Sequence, residues 1–351
     1  MRIKALREAM IKEGVDAALI ITDENIRYYS GFSGSGSELL ITLNEKYLFT
    51  DFRYTEQAEA ETDFAVLETK GPARHTAIFE HAKKSGKTIG IDLSGVSFTA
   101  YKAFLQHIDE TDIVDISDAI EAQRAVKDEA ELALIAKGAH HNDGLFSHLC
   151  KLIRPGMTET DIKAEIVYYM NRNGAETAFA PIVASGPNSS LPHATPTNRK
   201  IAAGDFVTMD YGCRFDGYCS DFTRTVGIFD IDKEQQKVYD IVKCAGDIAL
   251  EMLKEGIAAR EADAAARDYI SQHGYADAFG HGLGHGVGLF IHEAPSLNEI
   301  SQAILADGMV VTVEPGIYLK GRFGVRIEDL CVIKDGGSVN LTTAPRDLII
   351  L

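Results

Sequence analysis

The segment GHGLGHGVGLFIHE, residues 280–293, strongly limits the fold because glycine fills every other position of residues 280–288. Repeated glycine makes a helix costly, whereas a period of two matches an extended chain. A glycine face on such a chain is typical of a place where another backbone packs closely. His281 and His285 would then share the other face with Leu283. Their spacing is that of a helical zinc motif, but the HExxH glutamate is missing, so we interpret the segment as extended.

A second segment, DFVTMDYGCRFDGYCSDFTRT at residues 205–225, predicts a β-hairpin. The Asp-Gly pair at 216–217 is a two-residue turn signal, and it places Phe215 opposite Tyr218. In this register Asp210 and Asp221 are diagonal neighbours on one face, with Cβ atoms roughly 7 Å apart. Both carboxylates can then reach a common ion. Two solvated carboxylates on an edge hairpin are the alternative.

Two further acidic residues lie in apolar strands. Glu314 ends the run VVTVE, and Glu328 lies within GVRIEDLCVI. A charged side chain in such a strand is costly unless it is paired or bound to a metal ion. Arg326 can pair with one of these acids, so a buried ion pair is an alternative. One arginine cannot neutralise all the carboxylates that the two segments supply.

The four carboxylates and one imidazole form an oxygen-rich set that exceeds the needs of a single tetrahedral zinc ion. Two divalent ions bridged by carboxylates would use the whole set and balance its charge. We expect Mn²⁺, with Co²⁺, Fe²⁺ and Zn²⁺ as alternatives. Such a pair positions a bridging hydroxide and stabilises a tetrahedral intermediate, which predicts hydrolysis of a polarised carbonyl, most naturally an amide.

The order of the predicted elements divides the chain into two parts. Residues 1 to about 120 alternate between helix and strand signals, which is typical of an α/β domain with a mixed sheet. The later part predicts antiparallel strands and separate helices, an α+β arrangement. These helices lie at roughly 128–152, 159–173, 232–254 and 260–273. We place the domain boundary at residues 122 and 123.

Composition excludes several functions. The chain has 351 residues and a formal net charge of -17, which repels phosphate backbones and argues against nucleic-acid binding. The five cysteines form no CxxC pair, which favours a reducing compartment. The first residues lack the apolar core of a signal peptide, and no apolar run is long enough for a bilayer. We therefore expect a cytoplasmic enzyme without a membrane partner.

The quoted motifs resemble those of the pita-bread metallopeptidases, which include aminopeptidase P, prolidase and, more distantly, methionine aminopeptidase. NIRYYSGFSGSGSELLIT and LFTDFRYTEQA resemble stretches of the Xaa-Pro peptidase branch, and the five ligand positions follow the family's order. The resemblance covers nearly the whole length. It implies an α/β creatinase-like N-terminal domain with a mixed sheet at residues 1–122, followed by an α+β pita-bread catalytic domain with a curved antiparallel sheet at residues 123–351.

The resemblance also implies a role for each site residue. The implied metal ligands are Asp210, Asp221, His285, Glu314 and Glu328. Glu314 would in addition accept the proton of the attacking water. His193 and His292 match histidines that stabilise the developing oxyanion, and His281 matches one near the substrate in the prolyl-specific branch. Arg326 matches a supporting or substrate-binding arginine beside the last ligand.

The implied activity is hydrolysis of the Xaa-Pro bond at the N-terminus of peptides with proline in second position, by a homodimer. Prolidase, which cleaves the free dipeptide, is the alternative. Prolidase needs a cation for the substrate carboxylate, and HEAPSLNEISQ after His292 contains no basic residue. This favours the aminopeptidase, although Arg322, Arg326 or a partner subunit could supply the charge.

Two alternatives keep the same fold. A metal-free creatinase-like hydrolase would have lost several ligand carboxylates, and here all five positions are filled. A catalytically inactive pita-bread module for protein binding would show eroded ligands, and these motifs are intact. A generic α/β protein with incidental acids and histidines is the third alternative.

Overall fold

The computed structural model describes residues 1–71 and 73–351, which form two compact units, Met1–Arg124 and Ala125–Leu351. The first unit contains the helices α1 Arg2–Glu13, α2 Asp23–Ser30, α3 Thr55–Glu61, α4 Ala73–Lys83, α5 Phe98–Phe104 and α6 Ser117–Ala125. Its strands are β1 Ala17–Ile20, β2 Glu38–Thr42, β3 Lys46–Thr50, β4 Ala65–Glu68, β5 Ile89–Ile91 and β6 Ile113–Asp115.

The strands of the first unit form one mixed sheet in the order β4-β3-β2-β1-β5-β6. β1 is antiparallel to β2 and parallel to β5, so both strand directions meet at the centre of the sheet. Apolar side chains on the strands, such as Leu19, Leu40 and Phe49, pack with the helices into one core. The predicted mixed sheet is confirmed. Helix α1 is capped by Gly14, whose φ of 69° is a left-handed conformation that glycine adopts readily.

The second unit contains the helices α7 Glu129–Leu152, α8 Glu159–Arg172, α9 Lys233–Met252 and α10 Ala259–Gln272. The strands between α8 and α9 are β7 Glu176–Thr177, β8 Ile182–Ser185, β9 Phe206–Asp210, β10 Cys213–Phe215, β11 Tyr218–Cys219 and β12 Thr223–Gly227. The later strands are β13 Gly284–Gly286, β14 Glu293–Leu297, β15 Val310–Val313, β16 Gly316–Leu319, β17 Phe323–Arg326, β18 Asp329–Lys334 and β19 Gly337–Asn340.

The named strands of the second unit pair antiparallel in separate small sheets, which agrees with the α+β prediction. One apolar core lies under α9 and α10, and another lies under α7 and α8. Among residues 1–71 and 73–351, no helix combines the length and apolar character needed to cross a membrane.

The glycine-rich segment is extended over β13, and its glycines allow close backbone contact. A Cβ at Gly284 would lie 2.0 Å from the Thr312 carbonyl oxygen, and one at Gly286 would lie 2.2 Å from the Ala294 oxygen. The strand is shorter than we predicted, because only residues 284–286 are paired and the register shifts between His285 and Gly286. His281 therefore lies before the strand and not on it.

Candidate metal centre

The residues singled out in the sequence converge on one cleft of about 510 Å³ in the second unit. Their side chains come from separate strands and loops, and each one lines this cleft. The set comprises His193, Asp210, Asp221, His281, His285, His292, Glu314, Arg326 and Glu328. The cleft wall also contains apolar side chains, including Phe179 and Ile182. Convergence of so many ionisable groups on one cleft is typical of a functional site.

The predicted hairpin register places the two aspartates. Phe215 pairs with Tyr218 around the turn, and Asp210 at the end of β9 pairs with Thr223 at the start of β12. Asp221 lies between β11 and β12, where the backbone bonds from Tyr211 to Phe222 and from Ser220 to Cys213 continue the same register. The side chain of Asp221 is buried and lines the cleft, on the side of the hairpin that also carries Asp210.

His285 presents one ring nitrogen to the acids. Its Nδ1 lies 3.1 Å from the Gly286 carbonyl oxygen, which can only accept, so Nδ1 carries the proton. The other nitrogen, Nε2, faces the acids, 3.6 Å from Asp221 Oδ2 and 3.4 Å from Glu314 Oε1, and can bind either a proton or a metal ion there. A backbone contact that fixes the tautomer in this way is typical of a histidine that binds a metal ion.

The donor set is compact enough for a cation. One ligand atom each of Asp221, His285 and Glu328 lies within 4.8 Å of the other two. Glu328 accepts a hydrogen bond from Thr223 Oγ1 at Oε2, at 2.7 Å. Among the residues described, its buried Oε1 has no hydrogen-bond partner. A buried carboxylate oxygen without a donor is costly, so this orphaned atom fits a bound divalent ion.

The charges in the cleft are not balanced by protein groups alone. Burial and the nearby carboxylate of Glu328 raise the pKa of Asp221 well above its usual range. Burial and the carboxylate of Glu314 do the same to the pKa of Glu328. Burial also opposes ionisation of Glu314, but His285 outweighs it and lowers the pKa of Glu314 to about 2. The acids therefore repel one another unless further positive charge is present.

Arg326 is buried beside the acids and is already engaged. Its guanidinium lies 2.5 Å from Asp210 Oδ2, and it donates to the Tyr318 hydroxyl at 2.8 Å and to the Pro192 carbonyl at 3.3 Å. The sequence offered Glu314 or Glu328 as the partner of Arg326, but the close ion pair is with Asp210, and the Arg326 Nε lies 4.0 Å from Glu314 Oε2. The carboxylates of Asp221, Glu314 and Glu328 are still available to bind a cation. The residues present therefore fit the divalent metal ions that the sequence predicts.

The three remaining histidines occupy different parts of the cleft. His281 holds its Nε2 3.0 Å from the Tyr318 hydroxyl. The ring of His292 lies 4.3 Å from that of His285, edge to face. His193 is exposed on the loop that also carries Pro192. All three can therefore contact a molecule in the cleft, which leaves His285 as the imidazole that faces the acids.

Sequence reasoning missed the hydroxyl groups that hold these side chains. Thr223 donates to Glu328, and Thr312 donates to Glu314 Oε1 at 3.3 Å while accepting from the backbone of His285. Tyr318 links Arg326 to His281. The hairpin register already put Thr223 opposite Asp210, so its position was available from the sequence. The long-range contacts of Thr312 and Tyr318 left no periodic signal.

A set of buried acids around one imidazole in a cleft is typical of metal-dependent hydrolases. Residues 133–335 match the sequence model of metallopeptidase family M24, and residues 2–126 match that of the creatinase/prolidase N-terminal domain. The chain therefore belongs to metallopeptidase family M24. The predicted family, the creatinase-like and pita-bread fold, and the assignment as a peptidase are confirmed.

Peptidases of known structure or sequence are similar to this chain over nearly its whole length. A "Xaa-Pro dipeptidase" of Pyrococcus horikoshii is 35% identical over 350 residues, which are 99% of this chain and 98% of that protein. The solved "Xaa-Pro dipeptidase from Bacillus anthracis" has a TM-score of 0.96 at 37% identity and covers 100% of this chain and 99% of its own. An X-Pro aminopeptidase from Thermotoga maritima has a TM-score of 0.90 at 38% identity, with coverage of 96% and 98%.

Proposed function

We propose that this chain hydrolyses Xaa-Pro peptide bonds with two divalent metal ions, and that residues 123–351 form its catalytic domain. The observation that carries the proposal is the convergence of acids and histidines on one cleft, with ligand atoms of Asp221, His285 and Glu328 within 4.8 Å of one another. The names of the relatives that match this chain over nearly its whole length support the choice of bond.

The metal ions would be held by the five residues that the sequence predicts, Asp210, Asp221, His285, Glu314 and Glu328. The orphaned Oε1 of Glu328 and the position of His285 Nε2, which faces Asp221 and Glu314, support this assignment. The oxygen-rich set favours Mn²⁺, with Co²⁺, Fe²⁺ and Zn²⁺ as alternatives. Two such ions, when bound, polarise the scissile carbonyl and lower the pKa of the attacking water.

The remaining chemistry is assigned to protein side chains. Glu314 accepts the proton of the attacking water at its carboxylate, which is ionised at neutral pH because its pKa is lowered to about 2. His193 and His292 donate hydrogen bonds to the oxygen that becomes negative as the carbonyl is attacked. His281, oriented by Tyr318, contacts the substrate near the proline. Arg326 holds Asp210 in place.

The substrate is proposed to be an Xaa-Pro dipeptide, which the names of relatives support. Cleavage of longer peptides with proline in second position is a second candidate, favoured by one observation. Of the described residues that line the cleft, Arg326 is the sole lysine or arginine, and its donors already serve Asp210, Tyr318 and Pro192. A free substrate carboxylate would compete for that guanidinium, whereas a longer peptide has no such charge next to the bond.

The proposed enzyme is a cytoplasmic homodimer. Free thiols at all five cysteines support a reducing compartment. The net charge of -17 argues against a nucleic-acid partner.

The test is a comparison of Gly-Pro, Gly-Pro-Ala and Met-Ala-Ser hydrolysis by the Mn²⁺-loaded enzyme and by the same enzyme after chelation. We expect cleavage of the proline peptides and none of Met-Ala-Ser, because the cleft is assigned to the prolyl branch. Cleavage of Gly-Pro alone would identify a dipeptidase, and preference for Gly-Pro-Ala would identify an aminopeptidase. Chelation should abolish activity, and Mn²⁺ or Co²⁺ should restore it.

Full activity after verified metal removal would refute the two-metal mechanism. Cleavage of Met-Ala-Ser at the rate of the proline peptides would refute the proline preference. Gly-Ala is the matched control for Gly-Pro, because it differs only in the second residue.

A further inference from the structure

A buried carboxylate outside the cleft organises the loop that carries His193. Glu159 is the first residue of α8, and its relative exposure is 0%. It accepts six hydrogen bonds from residues that the structure describes. At Oε1 the donors are the Ser185 amide (2.7 Å), the Ser185 hydroxyl (2.8 Å) and the Asn188 amide (3.0 Å). At Oε2 they are the Thr197 amide (2.9 Å), the Thr197 hydroxyl (2.7 Å) and Asn188 (3.2 Å).

Ser185 and Thr197 flank one loop, residues 186–196, which we call the His193 loop, and Asn188 lies within it. Ser185 ends β8 just before the loop, and Thr197 follows it directly. One carboxylate oxygen binds each end, so Glu159 closes the loop at its base. The middle of the loop is tethered to the cleft by the bond from Arg326 to the Pro192 carbonyl. Backbone position in this loop therefore decides where His193 lies.

The imidazole of His193 depends on this backbone because its own contacts are few. The side chain is exposed, and no side-chain hydrogen bond joins it to another residue in the described parts of the chain. The other two rings are held more firmly. The ring of His281 contacts the Gly282 carbonyl and the Tyr318 hydroxyl, and that of His285 contacts the Gly286 carbonyl and Glu314. A shift at the base of the loop would therefore pass directly to His193.

A carboxylate suits this position better than an amide. Every partner of Glu159 is a donor, and an ionised carboxylate offers only acceptors. Burial opposes ionisation, but the hydrogen bonds from Thr197 and Ser185 outweigh it and lower the pKa of Glu159. Glutamine at this place would point an NH₂ group at a cluster of N–H and O–H donors. The fold of α8 needs no glutamate there, since Thr158 already caps the helix.

We propose that Glu159 is a positioning residue for catalysis, which fixes the His193 loop so that His193 reaches the scissile carbonyl. This rests on the proposed function through the role of His193. A residue that merely stabilises the fold would affect turnover whether or not His193 is present. The effect of Glu159 on turnover, in contrast, must pass through His193.

The test is a double-mutant cycle with Glu159→Gln, His193→Ala and the combined variant, measured on Gly-Pro and Gly-Pro-Ala with the Mn²⁺-loaded enzyme. We expect Glu159→Gln to lower kcat by up to about 10²-fold, because small misplacements of a catalytic group have effects of this size. The combined variant should be no slower than His193→Ala alone. Bound metal per chain, measured by elemental analysis, should be unchanged in all three.

The matched control is Glu165→Gln on the same helix, where the side chain contacts His148 at 2.7 Å and lies away from the loop. It should leave kcat unchanged. Hydrogen–deuterium exchange should rise in residues 186–197 for Glu159→Gln and not for the control. If Glu159→Gln does not fold, Glu159→Asp keeps the charge on a shorter side chain, and the same cycle and exchange experiment are made with it.

Three results would overturn the proposal in distinguishable ways. Losses that multiply in the combined variant would show that Glu159 acts independently of His193, while the proposed function stands. Wild-type kcat in the folded Glu159 variant would show that Glu159 does not position His193 at all, while the proposed function again stands. Wild-type kcat in His193→Ala would remove the role of His193 itself, and with it part of the proposed function.

Discussion

In the second unit, α7 and α8 form one helix pair, and α9 and α10 form another. The backbones of the two pairs make matching contacts, but their buried acidic side chains lie at different positions. Glu159 and Ala259 are the first residues of α8 and α10, and both helices have fourteen residues. The turn before each helix makes the same kind of bond, from Gly156 to the Ile201 carbonyl and from Gly256 to the Leu305 carbonyl. The place of buried Glu159 is taken in α10 by alanine, so the helix pair folds with or without a carboxylate there.

The second pair holds its histidine segment by another route. Asp263, one turn into α10, accepts from the Leu283 amide at 2.9 Å and pairs with Arg267. Arg267 in turn donates to the carbonyls of Phe279 and His281. Each helix pair therefore carries one buried carboxylate that holds a segment with a cleft histidine. Because the two acids lie at different positions in their helices, we infer that each one is needed to hold its attached segment and not to form its helix.

The strands that follow the helix pairs also divide the proposed ligands. Asp210 and Asp221 follow the first pair, whereas His285, Glu314 and Glu328 follow the second. The cleft thus needs both halves of the unit to be complete.

The largest expected effect comes from removing one proposed ligand from either half. Asp221→Asn and Glu328→Gln should each lose bound metal and lower kcat by roughly 10³-fold, because loss of metal removes several kcal/mol of transition-state stabilisation. Metal content after dialysis and kcat on Gly-Pro measure both effects. An equal loss from both halves would support a shared centre.

Asp216→Asn is the matched control, since Asp216 lies at the tip of the same hairpin with φ of 47°, which asparagine tolerates. It should keep both metal and activity. If Asp221→Asn retained its metal and its turnover, the ligand assignment would be wrong.

Local signals explain why much of this arrangement could be predicted from the sequence. The Asp-Gly turn fixed the pairing of Phe215 with Tyr218, and alternation then put Asp210 and Asp221 on one side. Acids in apolar strands marked Glu314 and Glu328, because their burial needs compensation. The boundaries of the four long helices fell within a few residues of the observed ones, since their apolar period is regular.

The contacts that hold the site were beyond the reach of such signals. Glu159 meets Ser185 and Thr197 across 26 and 38 residues, and periodicity does not reveal which distant donors meet. The glycine alternation predicted a longer strand than β13. The residues before this strand are bound by Asp263 and Arg267 instead, and the alternation contains no information about such contacts.

A smaller effect is expected for a histidine assigned to the substrate. His292→Ala should lower kcat by about 10²-fold, because one hydrogen-bond donor to the developing oxyanion is removed. Bound metal should stay at the wild-type level. Its neighbour His285, whose ring lies 4.3 Å away, supplies the contrast, since His285→Ala should lose metal as well. Loss of metal in His292→Ala would make His292 a ligand and reverse the division between the histidines.

The smallest effect on turnover is expected for the carboxylate of the second helix pair. Asp263→Asn should destabilise the fold by about 3 kcal/mol, because it leaves the charge of Arg267 without its buried partner. Its effect on kcat should stay within about 10-fold, since Tyr318 still holds the ring of His281 whereas His193 has no such support. Urea unfolding and kcat on Gly-Pro are the measurements, and exposed Asp268→Asn on the same helix is the control. A loss of turnover as large as that of Glu159→Gln, at unchanged stability, would contradict this ranking and make the two carboxylates equivalent in function.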